Sequence, residues 1–498
     1  MIWTIVAIFE LLGLVTAVHA VMSVRTPQGS IAWVAALVTI APVAVPAYWV
    51  FGRNKFHGYA LAREREIGYL DDVIREANAG VSEHITPTRD QAGRLLGAER
   101  LARLPVTGGN RPDLLIDGQA TFDSIFAGID AAREYILVQF YIVKDDELGR
   151  ALKARLVDKA KAGVRVYFLF DEIGSLGLSS AYLNDLRSAG VEVYPFHSRK
   201  GYGNRFQLNF RNHRKTVVTD GTTAWIGGHN VGDEYMGRDP KVGEWRDTHV
   251  RIEGPAVLGA QLAFIEDWRW ATDVLLEDLS WNPQAADGGE SHALVIASGP
   301  ADMLETATLM FVQAINTARS RIWIASPYFV PDEATIRALQ LAALRGVDIR
   351  ILIPEKSDNP LVTLAAYSFF DDINSVGVQV YRYGAGFLHG KYILLDDAVS
   401  MIGTANFDNR SFCLNFEITA AVIDRDFAAE VETLVVVEEL DPFIEEQVQA
   451  LGLQVIGKEF FPLTGELSLA RVREGALAAG LPVQGPKSDV IAMQDAGF

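Results

Sequence analysis

Two segments of this chain carry the same combination of histidine, lysine and asparagine. Each follows the pattern H-x-K-x4-D-x6-G-x2-N, and the full pattern is too long to be expected twice by chance. The residues of the two copies are His213, Lys215, Asp220, Gly227 and Asn230, then His389, Lys391, Asp396, Gly403 and Asn406. Each copy supplies an imidazole, a cation and an amide, and together they predict chemistry on a phosphodiester.

Displacement at a phosphodiester needs a nucleophile, a proton for the leaving alkoxide and positive charge near the non-bridging oxygens. One histidine can attack phosphorus to form a phosphohistidine, while the other protonates the leaving oxygen and later deprotonates the incoming alcohol. The two lysines can stabilise the phosphate charge, and the two asparagines can bind the substrate by hydrogen bonds. On a strand, the i, i+2 spacing turns each histidine and its lysine to the same face.

The acidic residues of the motif have two candidate roles. Asp220 and Asp396 belong to the candidate catalytic set, but they come five positions after each lysine, where strand alternation does not aim them at the phosphate. We therefore expect them mainly to bridge within each lobe. Each histidine also needs an acceptor for its second ring nitrogen. The candidates lie further along each copy, with Asp247 orienting the first histidine and Glu417 the second.

The repeat extends beyond the motif, and both copies show strands alternating with helices. Strands at 134–142 and 321–329 are each followed by a helical pattern and a second strand, at 164–170 and 347–353. This alternation predicts an α/β fold with two duplicated lobes, largely parallel sheets and a pseudo-two-fold axis. Such an axis brings both histidine motifs into one pocket between the lobes.

The N-terminus contains two apolar stretches, 2–22 and 31–51, each long enough to cross a bilayer. A cleaved signal peptide is an alternative for the first, but that stretch lacks a basic n-region. Four basic residues follow the second stretch, whereas the loop before it holds only Arg25, so the positive-inside rule places the rest of the chain in the cytoplasm. The prediction is a multi-pass protein of the cell inner membrane, with Pro42 and Pro46 kinking the second span.

Composition shifts divide the chain into five parts. They are two transmembrane helices at 1–52, a helical connector at 53–108, a first lobe at 109–290, a second lobe at 291–437 and a C-terminal tail at 438–498.

Charge and cofactor motifs narrow the function further. The net charge of −18 disfavours a nucleic-acid partner, although one basic run precedes the first motif and could guide an anionic headgroup. Its members are Arg199, Lys200, Arg205, Arg211, Arg214 and Lys215. No G-x4-G-K-[ST] loop indicates a nucleotide. His229 and His249 raise a metal alternative near the first motif, but no H-E-x-x-H motif or carboxylate cluster accompanies them, so we predict neither metal nor cofactor.

Longer strings around the motifs carry a family resemblance. They are FGRNK (51–55), WIGGHNVGDEY (225–235), EWRDTH (244–249), SPYFVPDE (326–333) and TANFDNRSFCLNFE (404–417). With them the chain resembles the bacterial cardiolipin synthases of the phospholipase D superfamily. The resemblance implies transfer of a phosphatidyl group between two phosphatidylglycerol molecules, with release of glycerol, attack by His213 and acid–base work by His389. The acidic end of the chain departs from these relatives, which tend to close with a basic, apolar helix.

Other functions share the same motif. A membrane phospholipase D would use water as the acceptor, and a related transferase would use another alcohol, such as an ethanolamine-bearing lipid. A nuclease fits poorly with the acidic charge and the apolar N-terminus. A catalytically dead scaffold predicts decay of one motif, whereas both are complete. The sequence indicates membrane lipids as partners and leaves the oligomeric state unknown.

Overall fold

The computed structural model describes residues 2–23, 26–52, 56, 59–60, 63, 67–86, 92–196, 209–239 and 243–439. Three members of the basic run, Arg199, Lys200 and Arg205, lie outside these residues. So does the predicted C-terminal tail from residue 440 onward.

Three helices form the N-terminal part: α1 (Ile2–Ser23), α2 (Pro27–Thr39) and α3 (Ala41–Phe51). They pack through a small apolar core that includes Leu37, Ala44 and Tyr48. The second predicted span is interrupted at Ile40, because Pro42 cannot donate a backbone hydrogen bond and its ring clashes with the preceding turn. Pro46 lies inside α3 without ending it. Among the described residues, no helix combines the length and the apolar character needed to cross a bilayer.

Two helices, α4 (Ile67–Gly80) and α5 (Ala92–Ala102), lead into two α/β lobes. The elements of the first lobe are β1 (Thr107–Ile116), α6 (Asp117–Ala131), β2 (Tyr135–Phe140), α7 (Glu147–Lys161), β3 (Arg165–Asp171), α8 (Ser180–Ser188), β4 (Glu192–Phe196), β5 (Arg211–Asn212), β6 (Thr216–Thr219), β7 (Thr223–Gly227), β8 (Trp245–Arg246), β9 (Thr248–Glu253) and α9 (Val257–Thr272).

The second lobe repeats this order with small additions. Its elements are β10 (Ser291–Ser298), α10 (Thr306–Thr317), β11 (Arg321–Ala325), β12 (Phe329–Val330), α11 (Glu333–Leu344), β13 (Asp348–Pro354), α12 (Pro360–Asn374), β14 (Gln379–Tyr383), β15 (Phe387–Leu388), β16 (Tyr392–Leu395), β17 (Val399–Gly403), β18 (Phe407–Asp408), α13 (Asn409–Cys413), β19 (Asn415–Ile423) and α14 (Arg425–Glu439).

The sheets of the two lobes have the same strand order. It runs β4-β3-β2-β6-β7-β9-β1 in the first lobe and β14-β13-β11-β16-β17-β19-β10 in the second. The equivalent strands β1 and β10 pair antiparallel, which joins both halves into one continuous sheet. An antiparallel pair of equivalent strands is the arrangement that a local two-fold axis produces, and it supports the predicted duplication.

The expectation of largely parallel sheets was wrong. Along the large sheet of the described residues, only three neighbouring strands of each lobe are parallel, β2-β3-β4 and β11-β13-β14. The separate short pair β12-β18 is also parallel. The other neighbours along the strand order given above pair antiparallel, for example β6 with β7 and β16 with β17. These strands are joined by tight turns, and a tight turn can connect only antiparallel neighbours. The helical crossovers predicted from the sequence therefore account for the outer part of each sheet alone.

Candidate active site

The short strand just before each histidine motif pairs with a strand of the opposite lobe. The two-residue strand β5 pairs in parallel with the start of β19, and β15 pairs in parallel with β8. The histidines follow directly: His213 N–H donates to Phe416 O at 2.9 Å, and His389 N–H donates to the oxygen of Arg246 at 2.7 Å. The chain then returns to its own lobe through β6 or β16. Backbone pairing across the lobe interface therefore fixes both histidines.

The His-x-Lys segments are extended connections rather than the strands expected from the sequence. They lie between β5 and β6 and between β15 and β16, where the backbone changes its pairing partner. Each lysine Nζ donates to the carbonyl oxygen of its own motif's histidine, over 2.7 Å for Lys215. Both lysine side chains are buried, so each is held close to its histidine.

The carboxylates that orient the histidines are exchanged between the lobes. His213 Nδ1 lies 2.9 Å from Glu417 Oε2, and His389 Nδ1 lies 2.6 Å from Asp247 Oδ2. The sequence singled out both acids, but it paired each with the histidine of its own copy, and that pairing was wrong. Because a carboxylate accepts the Nδ1–H, each neutral ring keeps Nε2 as its basic nitrogen.

Further hydrogen bonds hold the two carboxylates in place. Glu417 accepts from Thr404 Oγ1 at 2.6 Å and from Asn415 Nδ2 at 3.0 Å. Asp247 accepts from Thr248 N at 2.8 Å and from Trp245 Nε1 at 3.3 Å. Both carboxylates are fully buried. A fixed acceptor sets the tautomer and the plane of its imidazole, as each reacting ring requires.

Burial sets the protonation of the site. Removal from water lowers the pKa of His213 to about 4 and that of His389 to about 3, with the nearby lysines adding to the effect. Burial also lowers the pKa of Lys215 to about 7 and that of Lys391 to about 8. At neutral pH both imidazoles are therefore neutral. An anionic phosphate beside the lysines favours their charged form, because opposite charges stabilise each other.

Both histidines line one cavity of about 590 Å³ between the lobes. The two predicted asparagines also line it. Asn230 Oδ1 accepts from Ile142 N at 3.1 Å, and its side chain is hydrogen-bonded to Tyr235. The Oδ1 atom of Asn406 has no hydrogen-bond partner within the part of the chain that the structure describes. Residues from equivalent positions of the two motifs thus meet in one site, with different surroundings.

The motif aspartates bridge within each lobe, which is the main role expected for them from the sequence. Asp220 accepts hydrogen bonds from three successive backbone N–H groups, those of residues 133 to 135, at 2.8–2.9 Å. Asp396 does the same for residues 319 to 321. Both have positive φ, 51° and 52°, a conformation that aspartate tolerates better than most residues. Each aspartate ties the turn after the motif strand to the start of the neighbouring strand.

Two arginines, Arg211 and Arg410, line the cavity beside the histidines. The first belonged to the predicted basic run, and the second lies four residues after Asn406, a spacing that could have drawn attention to it. Arg214 was wrongly grouped with the headgroup-guiding residues. Its guanidinium is buried and forms an ion pair with Asp267 at 2.8 Å. No sequence signal distinguished Asp267, which lies within the apolar helix α9.

The structure does not place His229 and His249 in a metal-ligating group. Their Nδ1 atoms lie 3.1 Å apart, and both rings are buried behind the cavity. No cluster of three or more histidine, cysteine or acidic side chains suited to a metal ion occurs among the residues described.

Sequence comparison identifies the family of this chain. A family model described as "Cardiolipin synthase, PLD-like domain" matches residues 125–242 and 311–435, once in each lobe. Cardiolipin synthase A of Pseudomonas putida strain W619 is 48% identical over 433 residues, which is 86% of this chain and 90% of that protein. This chain belongs to the cardiolipin synthase family.

Further relatives agree with this membership. Cardiolipin synthase A of Pseudomonas putida strain GB-1 is 48% identical over 431 residues, 86% of this chain and 90% of that protein. The crystal structure of phosphatidylserine synthase from Haemophilus influenzae Rd KW20 superposes with a TM-score of 0.52 at 15% identity, covering 68% of this chain and 89% of that one. At this identity the likeness shows a shared fold alone.

Proposed function

We propose that this chain is a phosphatidyltransferase that moves a phosphatidyl group from one phosphatidylglycerol to another, forming cardiolipin and releasing glycerol. One observation carries the proposal: two histidines in a single cavity, each held by a carboxylate of the other lobe. Exchange of one phosphodiester for another is close to isoenergetic, so the reaction needs no nucleotide. The name of the family, cardiolipin synthase, agrees with this reaction.

In the first half-reaction His213 is the nucleophile. Its Nε2 attacks phosphorus and the bond from phosphorus to the glycerol oxygen breaks. His389, which takes up a proton at Nε2 from solvent when the anionic substrate binds, donates that proton to the glycerol oxygen. Glycerol leaves, and a phosphatidyl group remains on His213. The low pKa of His213 keeps its nitrogen unprotonated for attack. The phosphate's negative charge between the two lysines offsets the positive charges that otherwise oppose protonation of His389.

In the second half-reaction the roles reverse. The hydroxyl of a second phosphatidylglycerol gives its proton to His389, which is now a base, and its oxygen attacks phosphorus. The bond from phosphorus to nitrogen breaks, which releases cardiolipin and leaves His213 neutral and His389 protonated, as they were before the first half-reaction. Lys215 and Lys391 stabilise the charge of the five-coordinate transition state, while Asn230 and Asn406 bind the phosphate oxygens.

The N-terminal helices support a membrane location. Large exposed apolar side chains cover α1, α2 and α3, an arrangement typical of a surface that contacts lipid. They are Ile8, Leu11, Leu12, Leu14, Val15, Val18, Val21, Met22, Ile31, Val38, Ile40, Val43, Trp49 and Phe51. We place residues 1–52 in the cell inner membrane as a multi-pass anchor, followed by a cytoplasmic connector, the two lobes and the tail at the boundaries given above. Alkaline extraction of membranes tests this placement: release of the full chain into the soluble fraction contradicts it.

A product analysis tests the proposed reaction. The full chain is reconstituted into vesicles of phosphatidylglycerol with a radiolabelled glycerol headgroup, and lipids and free glycerol are quantified. We expect cardiolipin and glycerol in equal amounts. Phosphatidic acid as the main product would instead identify a phospholipase D that uses water. Addition of an ethanolamine-bearing lipid reveals transfer to another alcohol, through a new product that appears at the expense of cardiolipin.

A further inference from the structure

Helix α12 in the second lobe exposes an apolar face. Leu361, Leu364 and Tyr367 recur every three residues, so they lie along one side of the helix. They are 77%, 65% and 44% exposed. No charged side chain occurs between Asp358 and Asp371, which bracket the helix start and its last turn. An ordinary surface helix places polar residues on its exposed side, whereas the first two turns of this helix expose Leu361, Leu364 and Tyr367.

The apolar face is continuous with the active site. Leu361, Val362 and Ala365 line the same cavity as His213 and His389. The first turn of α12 thus forms part of the cavity wall, while the exposed leucines extend outward from it. A molecule whose phosphate lies between the histidines has an apolar path along this helix.

The equivalent helix of the first lobe shows that the fold does not require this surface. Helix α8 follows β3, the strand equivalent to the β13 that precedes α12, yet it exposes Asn184, Asp185 and Arg187. Its apolar residues Tyr182 and Leu186 are fully buried. The exposed side of this helix is therefore polar in the first lobe and apolar in the second. The apolar face is a property of the second lobe, which calls for a ligand on that side.

The end of the N-terminal helices reaches the same mouth of the cavity. The carbonyl oxygen of Phe51, the last residue of α3, accepts a hydrogen bond from Asn209 Nδ2 at 2.8 Å. The carbonyl oxygen of Asn209 in turn accepts from Arg410 Nη2 at 2.8 Å, and Arg410 lines the cavity. The apolar helices 2–51 therefore end beside the cavity entrance.

We propose that the exposed face of α12 binds the acyl chains of the phosphatidylglycerol whose phosphate lies between His213 and His389. This inference rests on the proposed function and adds a location for the apolar half of the substrate. The last residue of α3 is joined through Asn209 to Arg410, and α12 lines the same cavity as Arg410 and Arg211, so apolar surface suited to lipid and arginines suited to an anionic headgroup meet at one site. The lipid enters phosphate first, while its chains stay on α12 and in the bilayer.

The test compares substrates that differ only in acyl-chain length. The full chain in phosphatidylcholine vesicles receives dioleoyl-phosphatidylglycerol or water-soluble dihexanoyl-phosphatidylglycerol, whose short chains reach less of the helix. For Leu361→Ser/Leu364→Ser, we expect the ratio of long-chain to short-chain kcat/KM to fall about tenfold, through lost apolar burial. The matched control is Leu341→Ser/Leu344→Ser. These leucines are also exposed, but they lie near the end of α11 that leads into β13, opposite the cavity.

An unchanged ratio in the α12 variant, with cardiolipin still formed by the wild type, overturns the inference and leaves the proposed function intact. A change in oligomeric state without a change in the ratio also overturns it, since the face would then bind a second copy of the chain. Absence of cardiolipin from both wild-type reactions would refute the proposed function instead.

A second measurement does not depend on turnover. The single cysteine is changed by Cys413→Ser, and a nitroxide is attached at Leu364→Cys or, as a control, at Leu344→Cys. In vesicles we expect the first label to be accessible to oxygen and protected from a water-soluble nickel complex, as inside a bilayer. The control label should show the opposite preference. Equal accessibility of both labels to the nickel complex would show that α12 does not contact lipid.

Discussion

The two lobes match at the reacting atoms and differ in what supports them. Around His213 the support is polar: Arg214, its neighbour, donates to Asp267 and reaches across to the carbonyl oxygens of Glu417 and Ser298. The second motif has Gly390 in that position. A Cβ on Gly390 would meet the ring of Tyr392 at 2.8 Å, so no larger side chain fits without a shift.

Among the described residues, His213 contacts one aromatic ring, that of Tyr141 at 5.0 Å between centroids, whereas three rings surround His389. Its ring centroid lies 4.9 Å from that of Trp245, 5.9 Å from that of Phe387 and 6.1 Å from that of Tyr235. The comparison teaches that the duplication has retained the histidines, lysines and carboxylates, while the surroundings have diverged. Different surroundings are what two histidines with different roles require, since a nucleophile and a proton carrier need different stabilisation.

The largest expected loss of activity tests which histidine is the nucleophile and which is the proton carrier. His213→Ala and His389→Ala should each lower kcat with phosphatidylglycerol by about 10⁴-fold or more, since the two groups act as a unit. A substrate with a p-nitrophenolate leaving group needs no proton donor. With it, His389→Ala should release a burst of nitrophenolate and accumulate phosphatidyl-His213, whereas His213→Ala should give no burst. The reverse pattern would exchange the two roles.

The next effect tests the exchange of carboxylates between lobes. Glu417→Gln and Asp247→Asn should each lower kcat by about 10³-fold, because an amide does not hold the correct histidine tautomer. Proton NMR of the imidazole Nδ1–H resonances distinguishes the partners. Glu417→Gln should shift the resonance of His213, and Asp247→Asn that of His389. If each substitution perturbed the histidine of its own lobe, the crossed arrangement would be incorrect.

A smaller effect concerns the polar support found only in the first lobe. Arg214→Met leaves the buried Asp267 without its cation, and we expect the free energy of unfolding to fall by about 3–5 kcal/mol. Thermal unfolding in detergent micelles measures it. The double variant Arg214→Met/Asp267→Asn should be more stable than the single variant, because no uncompensated charge remains. Equal stability of the two would show that the ion pair contributes little.

The smallest expected loss of stability concerns the two motif aspartates, and it should be the same in both lobes. Asp220→Asn and Asp396→Asn each remove one or more acceptors of backbone N–H groups, at a cost of about 1–2 kcal/mol in unfolding free energy. Asparagine tolerates the positive φ of these positions, so the backbone itself is not strained. Rates measured well below the melting temperature should stay close to wild type. A large loss of kcat without a loss of stability would return these aspartates to the catalytic set.

These contrasts also show what the sequence could reveal. The duplicated lobes and the motif residues were predictable, since the repeated order of strands, helices and H-x-K motifs can be recognised directly in the sequence. The crossed pairing was not, because it depends on β5 and β15, two-residue strands that have no hydrophobic period. Asp267 was missed for a similar reason. A buried acid in an apolar helix can be recognised as half of an ion pair only when its partner is known, and Arg214 is 53 residues away along the chain.

The crossing of the carboxylates also has a consequence for synthesis of the protein. His213 is separated from Glu417 by 204 residues. At about 5–20 residues per second, the ribosome needs on the order of 10–40 s to reach the acid after making the histidine. During that interval the nascent first lobe lacks the group that orients its nucleophile. The proposed nucleophile therefore stays without its orienting carboxylate until nearly the whole catalytic part has been made.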